Sequence, residues 1–268
     1  MPEIELHDVR IHYEFDGRQD RPTLVLSNSL GTNLAMWSPQ LDALQEHFSI
    51  LRYDSRGHGQ SSTPPGPYSL EQMGTDVIGL LDALELDRVH FCGLSVGAMV
   101  GQWLGVHAHG RLGRLVLSNT AAKIGSPEGW NQRIETVRQQ GTEAIVSAVL
   151  ERWYTNEFRR STPEDVERTA AMLLSTDAEG YASTCAAIRD MDLRADVQKI
   201  SVPTLVVYGT QDPVTPPSEA RFLIEQITDT RSLELEAAHL SNIEAASAFT
   251  AGVLDFLLAR STEGGSHG

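Results

Sequence analysis

The sequence predicts an α/β fold: a mostly parallel, eight-stranded sheet flanked by helices, with a helical cap inserted after the sixth strand. Three observations predict it. Short β-prone runs alternate with helical patterns, the βαβ rhythm of a parallel sheet with right-handed crossovers. An apolar run, Val89 to Cys92, leads directly into Gly93-Leu94-Ser95-Val96-Gly97 and then a helix-like stretch from Ala98 to His107. From Ala121 to about Arg194 helical patterns follow one another with no strand between them. The division expected is a core of residues 1–120 and 195–260, a cap of 121–194 and a flexible Gly/Ser tail of 261–268.

Taken in order, Ile4 to Leu6 and Arg10 to Phe15 read as an antiparallel hairpin, and Thr23 to Ser27 as a third strand behind Pro22. After the turn-rich loop Asn28-Ser29-Leu30-Gly31-Thr32-Asn33, residues Trp37, Leu41, Leu44 and Phe48 share one face of a helix. Ser49 to Tyr53 is a strand that ends in the polar glycine loop Asp54 to Ser61. Ser69-Leu70-Glu71-Gln72 is a capping box, and Met73, Val77, Leu80, Leu81 and Leu84 follow at helical spacing. Arg114 to Leu117 is the sixth strand. In the inserted segment, helices are expected over Gly141 to Tyr154, after Thr162-Pro163-Glu164-Asp165, and over Ala178 to Met191. Strands resume at Thr204 to Tyr208 and Ser232 to Leu235, and a last helix runs from about Asn242 to Leu258.

Composition narrows the class of function. The 268 residues are 41% hydrophobic and 21% charged, as in soluble globular proteins, and can form one large core. The N-terminus lacks a basic, apolar leader, and the most apolar run, Phe91 to Val106, is broken by glycines, Ser95 and Gln102. No membrane span is expected. A net charge of −15, with no run of basic residues, argues against nucleic acid as a partner. Cys92 and Cys185 form no C-x-x-C or disulfide framework, which fits a reducing cytoplasm. Nothing in the sequence fixes an oligomeric state.

The chemistry is carried by G-x-S-x-G. Glycines 93 and 97 let strand and helix approach around a serine held at a strained turn, with its hydroxyl above the carboxyl edge of the sheet. Serine at its ordinary pKa is a poor nucleophile and needs an oriented base. Of the nine histidines, His239 is best placed, in the loop Glu236 to Asn242 between the last strand and the last helix. His58 is assigned a loop-stabilising role, and His90 a packing one. Asp212 lies just beyond a strand in a loop stiffened by Pro213 and Pro216. The alternative acid position, after the sixth strand, holds the uncharged Asn119. The order Ser95, Asp212, His239 is that of a nucleophile-elbow enzyme. Two backbone N–H groups, of Leu30 and Val96, are the candidate oxyanion hole. No metal-binding histidine spacing appears, and no cofactor is expected.

With these residues in place the chain resembles the α/β-hydrolase superfamily over essentially its whole length. Within it the sequence is most similar to the 3-oxoadipate enol-lactonases. The segments that carry this likeness are Val25 to Thr32 with Met36-Trp37, where most of the superfamily has His-Gly; Leu51 to Ser61; Asn119 to Ser126; Arg152 to Thr155; and Ala238 to Glu244. Ala98 stands where relatives often have a further glycine. The resemblance implies hydrolysis of a small anionic lactone, 3-oxoadipate enol-lactone, by attack of Ser95 on its carbonyl, in aromatic-compound catabolism.

Such a substrate carries a carboxylate that the acidic chain repels, so a basic clamp is expected in the cap. Arg133 beside Trp130 and Arg152 beside Trp153 are the candidates, since a guanidinium grips a carboxylate bidentately. The alternative is that both tryptophans are helix core and both arginines solvated. Two rival functions stand beside the lactonase: a general carboxylesterase or cofactor-free perhydrolase on a neutral ester, and a non-catalytic binding protein on the same scaffold.

Overall fold

Apolar, β-branched runs bounded by turn residues become the strands of one eight-stranded sheet, seen in a computed structural model that describes residues 2–18 and 20–259. The expected tail of 261–268 lies outside the described residues. The strands are β1 (Glu3–Leu6), β2 (Val9–Phe15), β3 (Thr23–Ser27), β4 (Ser49–Tyr53), β5 (Val89–Leu94), β6 (Leu112–Ser118), β7 (Thr204–Gly209) and β8 (Thr230–Leu235). Their spatial order is β1-β2-β4-β3-β5-β6-β7-β8. β2 pairs antiparallel with both β1 and β4, and every pairing from β4 to β8 is parallel. The central strand β3 is buried along its whole length, which is why Leu24, Val25 and Leu26 form an unbroken apolar run.

The helices are α1 (Leu41–Gln45), α2 (Leu70–Ala83), α3 (Val96–His107), α4 (Pro127–Gln140), α5 (Val146–Trp153), α6 (Asn156–Ser161), α7 (Pro163–Leu174), α8 (Ala178–Asp190), α9 (Pro217–Gln226), α10 (Ser241–Glu244) and α11 (Ala246–Leu258). Ser69 and Gln72 cap α2 reciprocally, as the sequence pattern requires. α2 and α3 pack on one another, while α1 and α11 pack together with the turn that precedes α1. Among the described residues no helix is long and apolar enough to cross a membrane.

Several details depart from the sequence reading. The single helix expected through Trp37 and Phe48 is a 3₁₀ segment, Leu34–Gln40, followed by the short α1, because Pro39 lies inside it and removes a backbone donor. Its face is nonetheless the expected one, with Trp37, Leu44 and Phe48 at 1% exposure or less. Helices α4, α6 and α9 have no counterpart in the sequence pattern. α4 is largely polar, but Ser126 caps it and Pro127 opens it. Gly141, expected to open a helix, closes α4 instead with φ at 75°. The last helix is broken at Ala245, which leaves the helical region at ψ 42°.

The segment between β6 and β7 contains α4 to α8 and, among its described residues, no strand. Its two ends meet. Leu193 N–H donates to Ala122 O at 2.8 Å, and Lys123 pairs with Asp192 at 2.9 Å. Below it, Arg56 fixes the glycine loop after β4. Its guanidinium is 2% exposed and donates twice to Asp76, at 2.7 Å each, and twice to Asp8.

Removing one member of a buried pair leaves an uncompensated charge, which costs about 3–5 kcal/mol. Arg56→Met is therefore expected to lower the unfolding free energy by that amount in urea melts, and a loss below about 1 kcal/mol would contradict the structural role given to this arginine.

Candidate active site

The carboxyl edge of the sheet collects four loops. Ser95 follows β5, Asp212 follows β7, His239 follows β8, and the loop of Ser29, Leu30 and Gly31 follows β3. At the first of these, Ser95 has φ 57° and ψ −117°, a conformation that costs a non-glycine residue on the order of 1–3 kcal/mol. It is held there by its N–H to Ser118 O at 2.9 Å, and its own carbonyl accepts from Met99 N and Thr120 Oγ1. The glycines around it are enforced by space. A Cβ on Gly93 would stand 2.3 Å from Gly97 backbone, and one on Gly97 would stand 2.3 Å from Ser27 O.

The three residues singled out from the sequence come together. His239 Nε2 lies 3.0 Å from Ser95 Oγ, and His239 Nδ1 lies 2.8 Å from Asp212 Oδ2. All three are buried, Ser95 at 8% exposure and His239 at 1%. A carboxylate can only accept, so Nδ1 carries the proton and Nε2 is free to take one from the serine. Burial works against the Asp212 charge, but the charge of His239 and hydrogen bonds from His239, Asn119 and Thr215 outweigh it and set the pKa at about 2. The Val214 and Thr215 amides add two more donors, at 2.7 and 3.0 Å.

Sequence reasoning missed two supports. Asn119 carries no charge and so offers no acid, yet its Nδ2 donates to Asp212 Oδ2 at 3.0 Å and to Ala238 O at 3.2 Å. Its signal is conformational: φ is 44°, a left-handed value that asparagine tolerates better than most residues. Glu244 accepts from Ala238 N at 2.8 Å and from Thr155 N and Oγ1, so one carboxylate ties the histidine loop to the inserted helices. Leu240 N–H, donating to Trp153 O at 3.1 Å, makes a second tie.

The loop after β3 is fixed from below. Leu34 N–H donates to Asp54 at 2.8 Å and Gly31 N–H to His58 Nε2 at 3.0 Å, which gives His58 the loop-stabilising part expected of it. The Leu30 and Val96 N–H groups, by contrast, have no acceptor among the described residues. His90 packs edge-on against Phe48 with ring centroids 5.8 Å apart. Cys92 and Cys185 are both buried, which pushes the Cys185 thiol up to about 12 and Cys92 higher still, so neither offers a rival nucleophile.

Ser95 and His239 open into a small chamber of about 30 Å³ that Leu30, Trp130, Arg133, Trp153 and Tyr181 also line. Of the four residues singled out in the segment between β6 and β7, Trp130, Arg133 and Trp153 therefore line the chamber of the serine. Arg152 does not: it lines an outer vestibule of about 390 Å³, which shares Trp130 and Arg133 with the chamber. Arg133 lies between the rings of Trp130 and Tyr181, 5.8 and 5.6 Å from their centroids, with no carboxylate partner among the described residues. Burial, and then the like charge of Arg133, lower the pKa of Arg152. The chamber holds little more than a water, and it shares Ile124, Trp130, Arg133 and Val214 with the vestibule. Among the described residues no cluster of three or more His, Cys, Asp or Glu could hold a metal ion.

Comparison with known proteins fits this geometry. Residues 22–246 match the alpha/beta hydrolase fold family. 3-Oxoadipate enol-lactonase 2 of Acinetobacter baylyi is 46% identical over 250 residues, which cover 93% of this chain and 94% of that protein. 3-Oxoadipate enol-lactonase 1 of the same organism is 38% identical over 231 residues, 86% of each chain. The crystal structure of the enol-lactonase from Burkholderia xenovorans LB400 superposes with a TM-score of 0.94 at 46% identity, covering 96% of this chain and all of that one.

The tautomer of His58 makes the site acid-sensitive. Its Nδ1 donates to Arg56 O at 3.2 Å and its bare Nε2 accepts from Gly31, so protonation removes the acceptor. Burial lowers its pKa, outweighing the opposite pull of Arg56 O, Asp54 and Asp177. A histidine whose folded pKa is depressed contributes stability that is complete above the unfolded value of about 6.5 and is lost as pH falls below it. Urea melts at pH 7.5 and 5.5 are therefore expected to show a larger loss for the wild type than for His58→Asn. Equal losses would contradict the assigned tautomer.

Proposed function

This chain belongs to the α/β-hydrolase family, and from that footing we propose that it opens the ring ester of 3-oxoadipate enol-lactone through an acyl-enzyme on Ser95, releasing 3-oxoadipate. The observation that carries this reading is the pairing, in one chamber, of the Ser95–His239–Asp212 hydrogen-bond line with Arg133, a guanidinium that has no carboxylate partner among the described residues. A neutral ester leaves that charge unanswered. A lactone bearing a carboxymethyl arm supplies the missing anion. The names of the relatives that match over nearly the whole chain support the same substrate.

On this reading the steps run in order. Ser95 Oγ attacks the lactone carbonyl carbon as His239 Nε2 takes its proton, and the developing oxyanion is met by the Leu30 and Val96 amides. Collapse breaks the ring carbon–oxygen bond. The leaving enolate stays tethered to the acyl group, takes the proton back from His239 and ketonises. Water, deprotonated by His239, then attacks the Ser95 ester, and the serine recovers its proton as 3-oxoadipate departs. Asp212 keeps the imidazole in the productive tautomer and stabilises its cation throughout.

Residues 121–194 act on this reading as a cap over a core formed by 1–120 and 195–260. Arg133, seated over the Trp130 ring, grips the carboxylate, Trp153 walls the ring of the substrate, and Arg152 at the vestibule draws the anion in against a net charge of −15. The enzyme serves aromatic catabolism in the cytoplasm.

A coupled assay with freshly generated enol-lactone tests the proposal against p-nitrophenyl acetate, a neutral ester. The wild type is expected to prefer the lactone by at least about 100-fold in kcat/KM, and Ser95→Ala to lose about 10⁴-fold or more on both. Arg133→Ala is expected to raise KM about 10- to 100-fold for the lactone alone, the worth of a charge-assisted pair. A wild type that prefers the neutral ester would make the protein a general carboxylesterase instead.

A further inference from the structure

Three buried polar atoms without a hydrogen-bond partner among the described residues, Ser29 Oγ, Arg133 Nε and Tyr181 Oη, belong to residues that line the chamber of Ser95 and His239. Buried donors left unpaired by the fold are stationed for something the fold does not supply. Arg133 already has a part, and Tyr181 stands beside it, on the carboxylate side of the chamber. Ser29 has none.

The backbone of Ser29 is turned away and fully engaged. Its N–H donates to Met36 Sδ at 3.3 Å, and its carbonyl accepts from Thr32 N at 3.2 Å and Thr32 Oγ1 at 2.7 Å. Ser29 lines the chamber at 2% exposure, one residue before Leu30, and its buried Oγ is the polar atom left without a partner among the described residues. We propose that the Ser29 hydroxyl is a catalytic donor, giving the carbonyl oxygen of the bound ester a third hydrogen bond as it becomes negative. A tetrahedral alkoxide has three lone pairs, and the Leu30 and Val96 amides occupy two. A hydroxyl rotates to reach the third at no cost to any bond within the protein, because it makes none.

The inference rests on the acyl-enzyme reading above, and the experiment separates the two. Ser29→Ala is expected to lower kcat about 10- to 100-fold on both the enol-lactone and p-nitrophenyl acetate, which share only the carbonyl, with KM within about two-fold. Its melting temperature is expected to stay level or rise, since the hydroxyl holds no structural bond. Ser29→Cys, close to it in volume and a feeble donor, is expected to show the same loss of kcat. Wild-type kcat in either variant, a loss confined to the lactone, or a fall in melting temperature in step with activity would each overturn the proposal. Ser95→Ala distinguishes the failures. If it retains turnover, the acyl-enzyme reading falls; if it is inactive while Ser29→Ala runs at the wild-type rate, the Ser29 donor alone falls.

Discussion

One imidazole holds the carboxyl edge of this sheet together. His239 spans from Asp212 Oδ2 at 2.8 Å to Ser95 Oγ at 3.0 Å, joining loops that follow β7, β8 and β5. Neither bond survives a shift of about 1 Å, so the strand order, the sharp turn at Ser95 and the seating of the last two helices are all constrained by it. The turn in turn depends on bare backbone. Gly93 and Gly97 are needed because strand, helix and Ser27 carbonyl meet where a methyl group would collide.

The charges at this edge are arranged against the character of the rest of the chain. Asp212 keeps its charge in a buried place because amides, an amide side chain, a hydroxyl and the imidazole all donate to it. Arg133 has no carboxylate partner among the described residues and lies between the rings of Trp130 and Tyr181, so it offers an anion the interaction that Asp212 already has. Glu244 and Leu240 tie the histidine loop to Thr155 and Trp153 in the segment between β6 and β7, and Trp153 lines the chamber.

Much of this was legible in the sequence, for identifiable reasons. The elbow announces itself because sterics leave few alternatives to glycine at 93 and 97. Asp212 and His239 were readable because each follows a β-prone run in a loop that prolines or a following helix make rigid. The sheet and its parallel rhythm were legible because buried strands are written in apolar runs. Other features were hidden where tertiary contacts override local pattern. α4 is mostly polar, and its seat is the neighbouring α8 rather than an apolar stripe of its own. The break at Ala245 follows the Glu244 carboxylate, whose partners are 6 and 89 residues away in sequence. Asn119 was set aside by asking for a charge, when the structure uses its two-sided hydrogen bonding, accepting from Ser241 Oγ while donating to Asp212.

The central claim is that Ser95 is made nucleophilic by His239, and a fluorophosphonate probe addresses it without regard to the natural substrate. Intact-protein and peptide mass spectrometry should find one equivalent of label, on Ser95, formed at least about a thousand-fold more slowly in His239→Ala. Label on another residue, or the same rate with and without the imidazole, would contradict the account.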